Sequence, residues 1–138
     1  MKALVIDGST TIGFLLKDEQ GASPLKALEA IENGAATFVP AHWSVEVANG
    51  LIMAERRKRA SQADITEALA LVAALPVECD DETTQRAFSD TAALARQYGL
   101  TLYDAAYLEL AMRRGAALAS TDAALCKAAK AAGVPILS

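Results

Sequence analysis

Short apolar runs alternate with helical stretches along the whole chain, and few folds accept that rhythm. Lys2–Ile6, Thr37–Val39, Pro76–Cys79, Ala116–Ala119 and Val134–Leu137 each read as a short buried strand. Between them the spacing of apolar residues predicts helices over about Thr10–Leu16, Pro24–Glu32, Trp43–Lys58, Ser61–Leu75, Asp81–Tyr98, Thr101–Arg114 and Ser120–Ala132. Strands joined through helices make right-handed crossovers, which stack the strands in parallel and cover both faces of the sheet. The predicted fold class is therefore α/β: a small parallel β-sheet flanked by helices on both faces, in a three-layer α/β/α arrangement. No repeat, low-complexity tract or linker interrupts the pattern, and 138 residues suit a single domain over 1–138 with its own core.

Local signals mark the element ends. Pro24 suits the first turn of its helix, and Pro40 stops the strand before it. Ser61 with Asp64 three residues later is close to a capping box. Gly34, Gly99, Gly115 and Gly133 follow the ends of four helices, where a left-handed residue is needed. Lys17–Ser23 reads as a polar turn.

Composition removes several function classes. The chain is 53% hydrophobic and 5% aromatic, which favours helices packed on a small sheet and excludes a disordered chain. No apolar run approaches the roughly 20 residues that span a bilayer. The first residues lack the basic region and cleavage site of a secretory signal, so the expectation is a cytoplasmic protein with no membrane association. Cys79, Cys126 and His42 are too few and too scattered for a zinc site. The two cysteines are expected to be small buried thiols in a reducing compartment.

The net charge of −4 does not suit a simple nucleic-acid binder, but charge is unevenly placed. Arg56, Arg57, Lys58 and Arg59 form a run of four cations, and Arg113 and Arg114 a smaller pair. Each set fits either a solvated helix end or contacts to RNA phosphates.

The acids carry the chemistry. Asp7 ends the first strand, and Asp122 follows Ala116–Ala119 after Ser120 and Thr121. Asp104 stands in the first turn of its helix behind Thr101, and Glu46 in the first turn of the helix after Thr37–Val39. Any one of them is explained by helix capping or by the helix dipole. Taken together, all four open helices, and at least three follow strands, so they gather at one edge of the sheet, where open parallel sheets place ligands. Apolar neighbours such as Val45, Val47, Tyr103 and Ala105 would desolvate them. Two charges about 4 Å apart at an effective dielectric near 20 cost about 4 kcal/mol, so the cluster needs a cation or a proton. Oxygen ligands without nitrogen or sulfur suit Mg²⁺ or Mn²⁺, ions that activate water and stabilise phosphoryl charge.

Four stretches in this order resemble the PIN domain, and within it the VapC toxins of toxin–antitoxin pairs. They are VIDGS (Val5–Ser9), PAHWSVEVANGL (Pro40–Leu51), GLTLYDAAYLELA (Gly99–Ala111) and LASTDAAL (Leu118–Leu125). The resemblance spans almost the whole chain. It implies a metal-dependent endoribonuclease in which Asp7, Glu46, Asp104 and Asp122 are the catalytic and metal-binding residues for one or two Mg²⁺ or Mn²⁺ ions. Water activated at the metal would attack the RNA phosphodiester in line. Ser9 and Ser120, with Asn49 as a further candidate, would orient carboxylates or water around the metal. The partners it implies are an RNA substrate, a cognate antitoxin and a second copy of the chain, with the Ala-rich helix after Ser61 offering an apolar face. Two alternatives share these residues: an RNA-processing nuclease outside any toxin pair, and a catalytically dead RNA-binding or scaffold protein. Two departures from the family pattern are visible. Gly8 stands where alanine is more usual, which loosens the turn without removing a ligand. Ala123 and Ala124 supply no extra acid after Asp122, so the number of metals stays open.

The remaining aromatic residues read more simply. Trp43 fits a base-stacking residue but more simply packs a helix start against the core, Tyr103 and Tyr107 are packing residues with polar tips, and His42 fits a phosphate contact but more simply a surface or capping histidine.

Overall fold

In the computed structural model, which describes residues 3–137, Leu4, Val5 and Ile6 have no exposed surface. Their strand, β1 (Ala3–Ile6), is covered on both faces, which is why it reads as an unbroken apolar run instead of an alternating one. It lies inside a four-stranded parallel sheet of order β3-β2-β1-β4, with β2 at Ala36–Val39, β3 at Glu78–Cys79 and β4 at Ala117–Ala119. Val5 pairs with Phe38 on one side and Leu118 on the other. Lys2, expected to open the first strand, lies outside the described residues.

The helices form two layers around the sheet, the α/β/α arrangement expected. On one side α7 (Leu102–Arg114) packs on β1, β2 and β4, with α6 (Ala92–Tyr98) and α8 (Ala123–Ala131) against it. Ala105 to Ala111 of α7 are all buried, so the middle of this helix is enclosed; its one charged residue there, Glu109, is paired with Arg113. On the other side α1 (Gly8–Leu15) contacts α2 (Ala22–Glu32), α3 (Trp43–Arg56) and α4 (Gln62–Ala73). The capping box at Ser61 is complete. The Ser61 hydroxyl accepts from the Asp64 N–H at 3.0 Å, and the Asp64 carboxylate accepts from the Ser61 N–H at 3.2 Å.

Three elements differ from expectation. The helix predicted over Asp81–Tyr98 is divided into α5 (Thr83–Arg86), a wider π turn at Ala87–Thr91, and α6. The wide turn keeps Thr91 buried and Phe88 96% exposed. It contains neither glycine nor proline, so the sequence offers no sign of the extra residue. The strand predicted over Val134–Leu137 reduces to one parallel bridge between Leu118 and Ile136. The next ladder bond would need an N–H at Pro135, which has none. The helix predicted to reach Lys58 ends at Arg56, because Lys58 adopts a left-handed φ of 60°.

The two cysteines are free, as the spacing implies, but they are not both buried: Cys79 is exposed and Cys126 half-buried. β3 is an edge strand of two exposed residues, so its side chains leave the core.

Candidate functional site

β1 and β4 end side by side. The Asp7 N–H donates to the Ala119 carbonyl at 3.2 Å, continuing the ladder one residue past the strand. The chain then turns into α1, and Asp7 becomes its cap, accepting from the Thr10 N–H at 2.9 Å. Asp7 is both the cap and a buried carboxylate at the sheet edge, so the two readings of that residue are compatible. Only 3% of it is exposed.

Two serines hold Asp7. The Ser9 hydroxyl lies 2.8 and 2.9 Å from its two oxygens, and the Ser120 hydroxyl donates to Oδ2 at 2.6 Å. Each serine also accepts a backbone N–H from the β4–α8 turn: Thr121 to Ser9 at 3.2 Å, Asp122 to Ser120 at 3.0 Å. The serines thus lock the two chain segments together around one carboxylate. Burial pushes the Asp7 carboxyl above its ordinary range, and the hydroxyl and N–H donors oppose that rise only in part.

A second set of contacts joins α3 to this centre. The Trp43 indole N–H donates to the Thr11 hydroxyl at 3.0 Å, and Thr11 donates to the Asp7 carbonyl at 2.8 Å. Trp43 is buried and packs the helix start, as expected. One turn on, Glu46 is half-buried and accepts from the Tyr107 hydroxyl at 3.0 Å. Burial first, and the Asp7 charge after it, raise the Glu46 carboxyl. Gly8 is not a loosened turn: a methyl group there would collide with Glu46 Oε1 and stand 2.9 Å from Cδ. The absent side chain makes room for the acid.

Asp104 opens α7, where the Thr101 hydroxyl accepts its N–H at 3.1 Å. Its carboxyl is raised by burial and then by the charges of Asp122, Glu46 and Asp7. All four predicted acids therefore share one electrostatic environment. Asp122 caps α8 by accepting the Leu125 N–H at 2.9 Å. No Lys or Arg pairs with any of the four among the described residues. His42 Nε2 approaches Glu46 to 3.9 Å, too long for a hydrogen bond, and burial lowers its pKa, so it brings no charge at neutral pH.

The other sequence candidates are less central. Asn49 is exposed on α3 one turn past Glu46, with no hydrogen bond to the acids. Arg59 is committed elsewhere, to Asp18 at 3.1 Å and Glu19 at 2.6 Å. Arg56, Arg57 and Lys58 are exposed at the far end of α3, about 15 Å along the axis from Glu46 at 1.5 Å per residue. Arg113 is not a solvated helix end. It makes a two-pronged contact with Asp80 at 2.9 and 2.7 Å, and another with Glu109 at 2.8 and 3.0 Å.

The PIN domain family model matches residues 4–131. The chain belongs to the PIN domain family. PIN domains are generally nucleases, hydrolases of the nucleic-acid backbone. No curated protein matches the chain. Among solved structures, PAE2754 from Pyrobaculum aerophilum superposes with a TM-score of 0.71 at 20% identity, covering 99% of this chain and 84% of that one. VapC20 from Mycobacterium tuberculosis, a toxin that cleaves the sarcin–ricin loop, superposes with a TM-score of 0.60 at 14% identity, covering 91% and 94%. Both likenesses are of fold.

The donor set of this PIN domain fits a hard divalent cation: carboxylate oxygens, partly desolvated, with no counter-charge from the protein. Their spacing is loose. Among the described residues only Asp80, Asp81 and Glu82 bring three ligand oxygens within 4.8 Å of one another. Two of these three acids are already paired, Asp80 with Arg113 and Glu82 with Arg86 and Arg113, and the Arg113 contact lowers the Asp80 carboxyl below its ordinary value.

Several features escaped the sequence. Tyr107 was legible as a packing residue with a polar tip, and it is fully buried, but its bond to Glu46 was not foreseen. The signal available was position: Tyr107 lies three residues after Asp104, on the same helix face. Tyr103 is not a packing residue; it is 64% exposed. His42 is half-buried, with Nε2 enclosed and lacking a hydrogen-bond partner.

Proposed function

We propose that this PIN domain is a metal-dependent endoribonuclease and the toxin of a toxin–antitoxin pair, with Asp7, Glu46, Asp104 and Asp122 holding one or two Mg²⁺ or Mn²⁺ ions. The observation that carries the reading is a set of four acids around the sheet edge where β1 and β4 end, with Asp7, Glu46 and Asp104 raised by burial and no Lys or Arg paired with any of the four among the described residues. A divalent ion bound there would supply a Lewis acid that activates water and neutralises charge building on the phosphoryl group. The chain's own groups fix the ligands. Ser9 and Ser120 hold both oxygens of Asp7 in one orientation, and Tyr107 holds Oε1 of Glu46. Ligands held by hydrogen bonds lose little freedom on binding, which favours one geometry around the phosphate.

The toxin assignment rests on the likeness in fold to VapC20 and on the order of the four motifs. It brings with it an antitoxin partner and self-association. Ile52, Leu69 and Leu71 of α3 and α4 are exposed apolar residues that a second copy could cover. No described helix is long and apolar enough to cross a membrane.

The deciding experiment is cleavage of a mixed RNA panel by the purified protein with Mn²⁺, with Mg²⁺ and with EDTA, beside Asp7→Asn. Cutting that needs the metal and is lost in a folded Asp7→Asn variant supports the reading. Cutting that survives both EDTA and the substitution rejects it. A small reading frame for an antitoxin directly upstream would distinguish a toxin from a processing nuclease.

A further inference from the structure

A recess of about 240 Å³ opens beside the carboxylates, lined by Ala41, His42, Thr83, Ala87, Leu102 and Tyr103 among others. His42 links it to the acid cluster: it lines the recess, and its Nε2 lies 3.9 Å from Glu46 Oε2. Its walls are mostly apolar, and no Lys or Arg lines it, so it does not suit a phosphate. It is too small for a partner helix and roomy enough for one ring system.

Its rim is aromatic. Tyr103 is 64% exposed, and Leu102 beside it is 41% exposed. His42 packs edge-on between Tyr103 and the buried Tyr107, with centroids 5.7 and 5.1 Å away. This edge-on packing fixes Tyr103 from one side while most of its surface stays free. Beneath the rim, His42 Nε2 is enclosed and makes no hydrogen bond among the described residues. The floor is rigid, because the Thr83 hydroxyl accepts from the Ala41 N–H at 3.0 Å and lies 3.1 Å from Asp80 Oδ2.

We infer that this recess holds one unstacked base of the substrate RNA, next to the phosphate at the carboxylates, with the base on the face of Tyr103. The inference rests on the nuclease reading above and adds to it the contact that selects where the strand is cut. Proteins that bind single strands place bases on aromatic rings in this way. His42 spans the two sites, with its ring 5.7 Å from the Tyr103 ring and its Nε2 3.9 Å from Glu46.

The test is a set of copies of one cleaved oligoribonucleotide, each with a single abasic position near the cut. One abasic position should lower kcat/KM of the wild-type chain by about 5- to 150-fold, the range for loss of one base–aromatic stack. The same change should cost nothing further in Tyr103→Ala, whereas Tyr103→Phe should show the abasic penalty because it keeps the ring. Penalties that multiply independently at every position would overturn the inference. So would normal cleavage by Tyr103→Ala together with a changed mass by light scattering, which would assign the rim to a protein contact. If the wild-type chain cuts no RNA, the nuclease reading fails separately. Anisotropy of a labelled single-stranded oligoribonucleotide then decides the recess: tighter binding by wild type than by Tyr103→Ala upholds it, equal or absent binding overturns it.

Discussion

A single hydroxyl shows how finely Asp7 is held. Ser120 donates to it at 2.6 Å and accepts the Asp122 N–H, so Ser120→Ala removes a bond that favours the ionised carboxylate and frees the turn carrying Asp122. Partners of this kind typically alter metal affinity by about 10- to 100-fold, and we expect a loss in that range in a Mn²⁺ titration followed by electron paramagnetic resonance, with the circular dichroism spectrum unchanged. Gly8→Ala acts from the other side. The new methyl group displaces the Glu46 carboxylate and breaks its bond to Tyr107. Tyr107→Phe breaks the same bond without moving Glu46, so its loss of RNA cleavage should be the smaller of the two. Equal activity in Gly8→Ala and wild type would mean that Glu46 is free to take its position without Gly8. The serines and acids were legible because a strand end followed by a hydroxyl and a carboxylate is a local pattern. The role of Gly8 was not, since it depends on a side chain 38 residues away in sequence.

At the level of elements, Arg113 ties the end of α7 to the region after β3. Its side chain is 14% exposed and contacts Asp80, whose side chain is fully buried, as well as Glu109 and Glu82. Nothing local in the sequence separates this arginine from Arg114, which lies over the Phe38 ring at 4.5 Å and reaches Asp80 only at 3.8 Å, without a hydrogen bond. Helix phase against the sheet decides which cation goes inside. Removing one member of a buried ion pair leaves the other uncompensated, so Arg113→Met should cost about 3 kcal/mol in urea unfolding at pH 7. The sign with pH follows from Asp80. Arg113 holds its carboxyl below the ordinary value of 3.8, so the pair's contribution is complete above that value and is lost as the pH falls through the lowered pKa. The gap between wild type and Arg113→Met should therefore be full at pH 7 and shrink below pH 3.8. A gap independent of pH would show that packing, not the ion pair, sets the cost. The division of the Asp81–Tyr98 segment belongs to the same scale. Its π turn is set by how α5 and α6 sit on α7, which composition does not encode.

For the molecule as a whole, the alternation of strand and helix was enough to specify the layers and the parallel sheet, because each crossover has one favoured hand. The expectation that the acids gather at one sheet edge then followed from where the strands end. What pattern could not give is the competition between two acid groups for a cation, and that competition can be measured. Asp7, Glu46 and Asp104 are held above their ordinary values by burial. In the window above 3.8 for the aspartates and 4.5 for the glutamate, the folded chain binds more protons than the unfolded one, so without metal its stability falls as the pH rises through that window. A divalent ion that binds only the folded chain adds about 2.7 kcal/mol at a hundred times its Kd, which should raise Tm at pH 7 by several degrees when Mn²⁺ replaces EDTA. Asp7→Asn should abolish that rise. Asp81→Asn should keep it, because the neighbouring Asp80 and Glu82 are already paired with arginine. The reverse outcome, a rise lost in Asp81→Asn and kept in Asp7→Asn, would move the metal to the group after β3 and remove the basis for cleavage at the sheet edge.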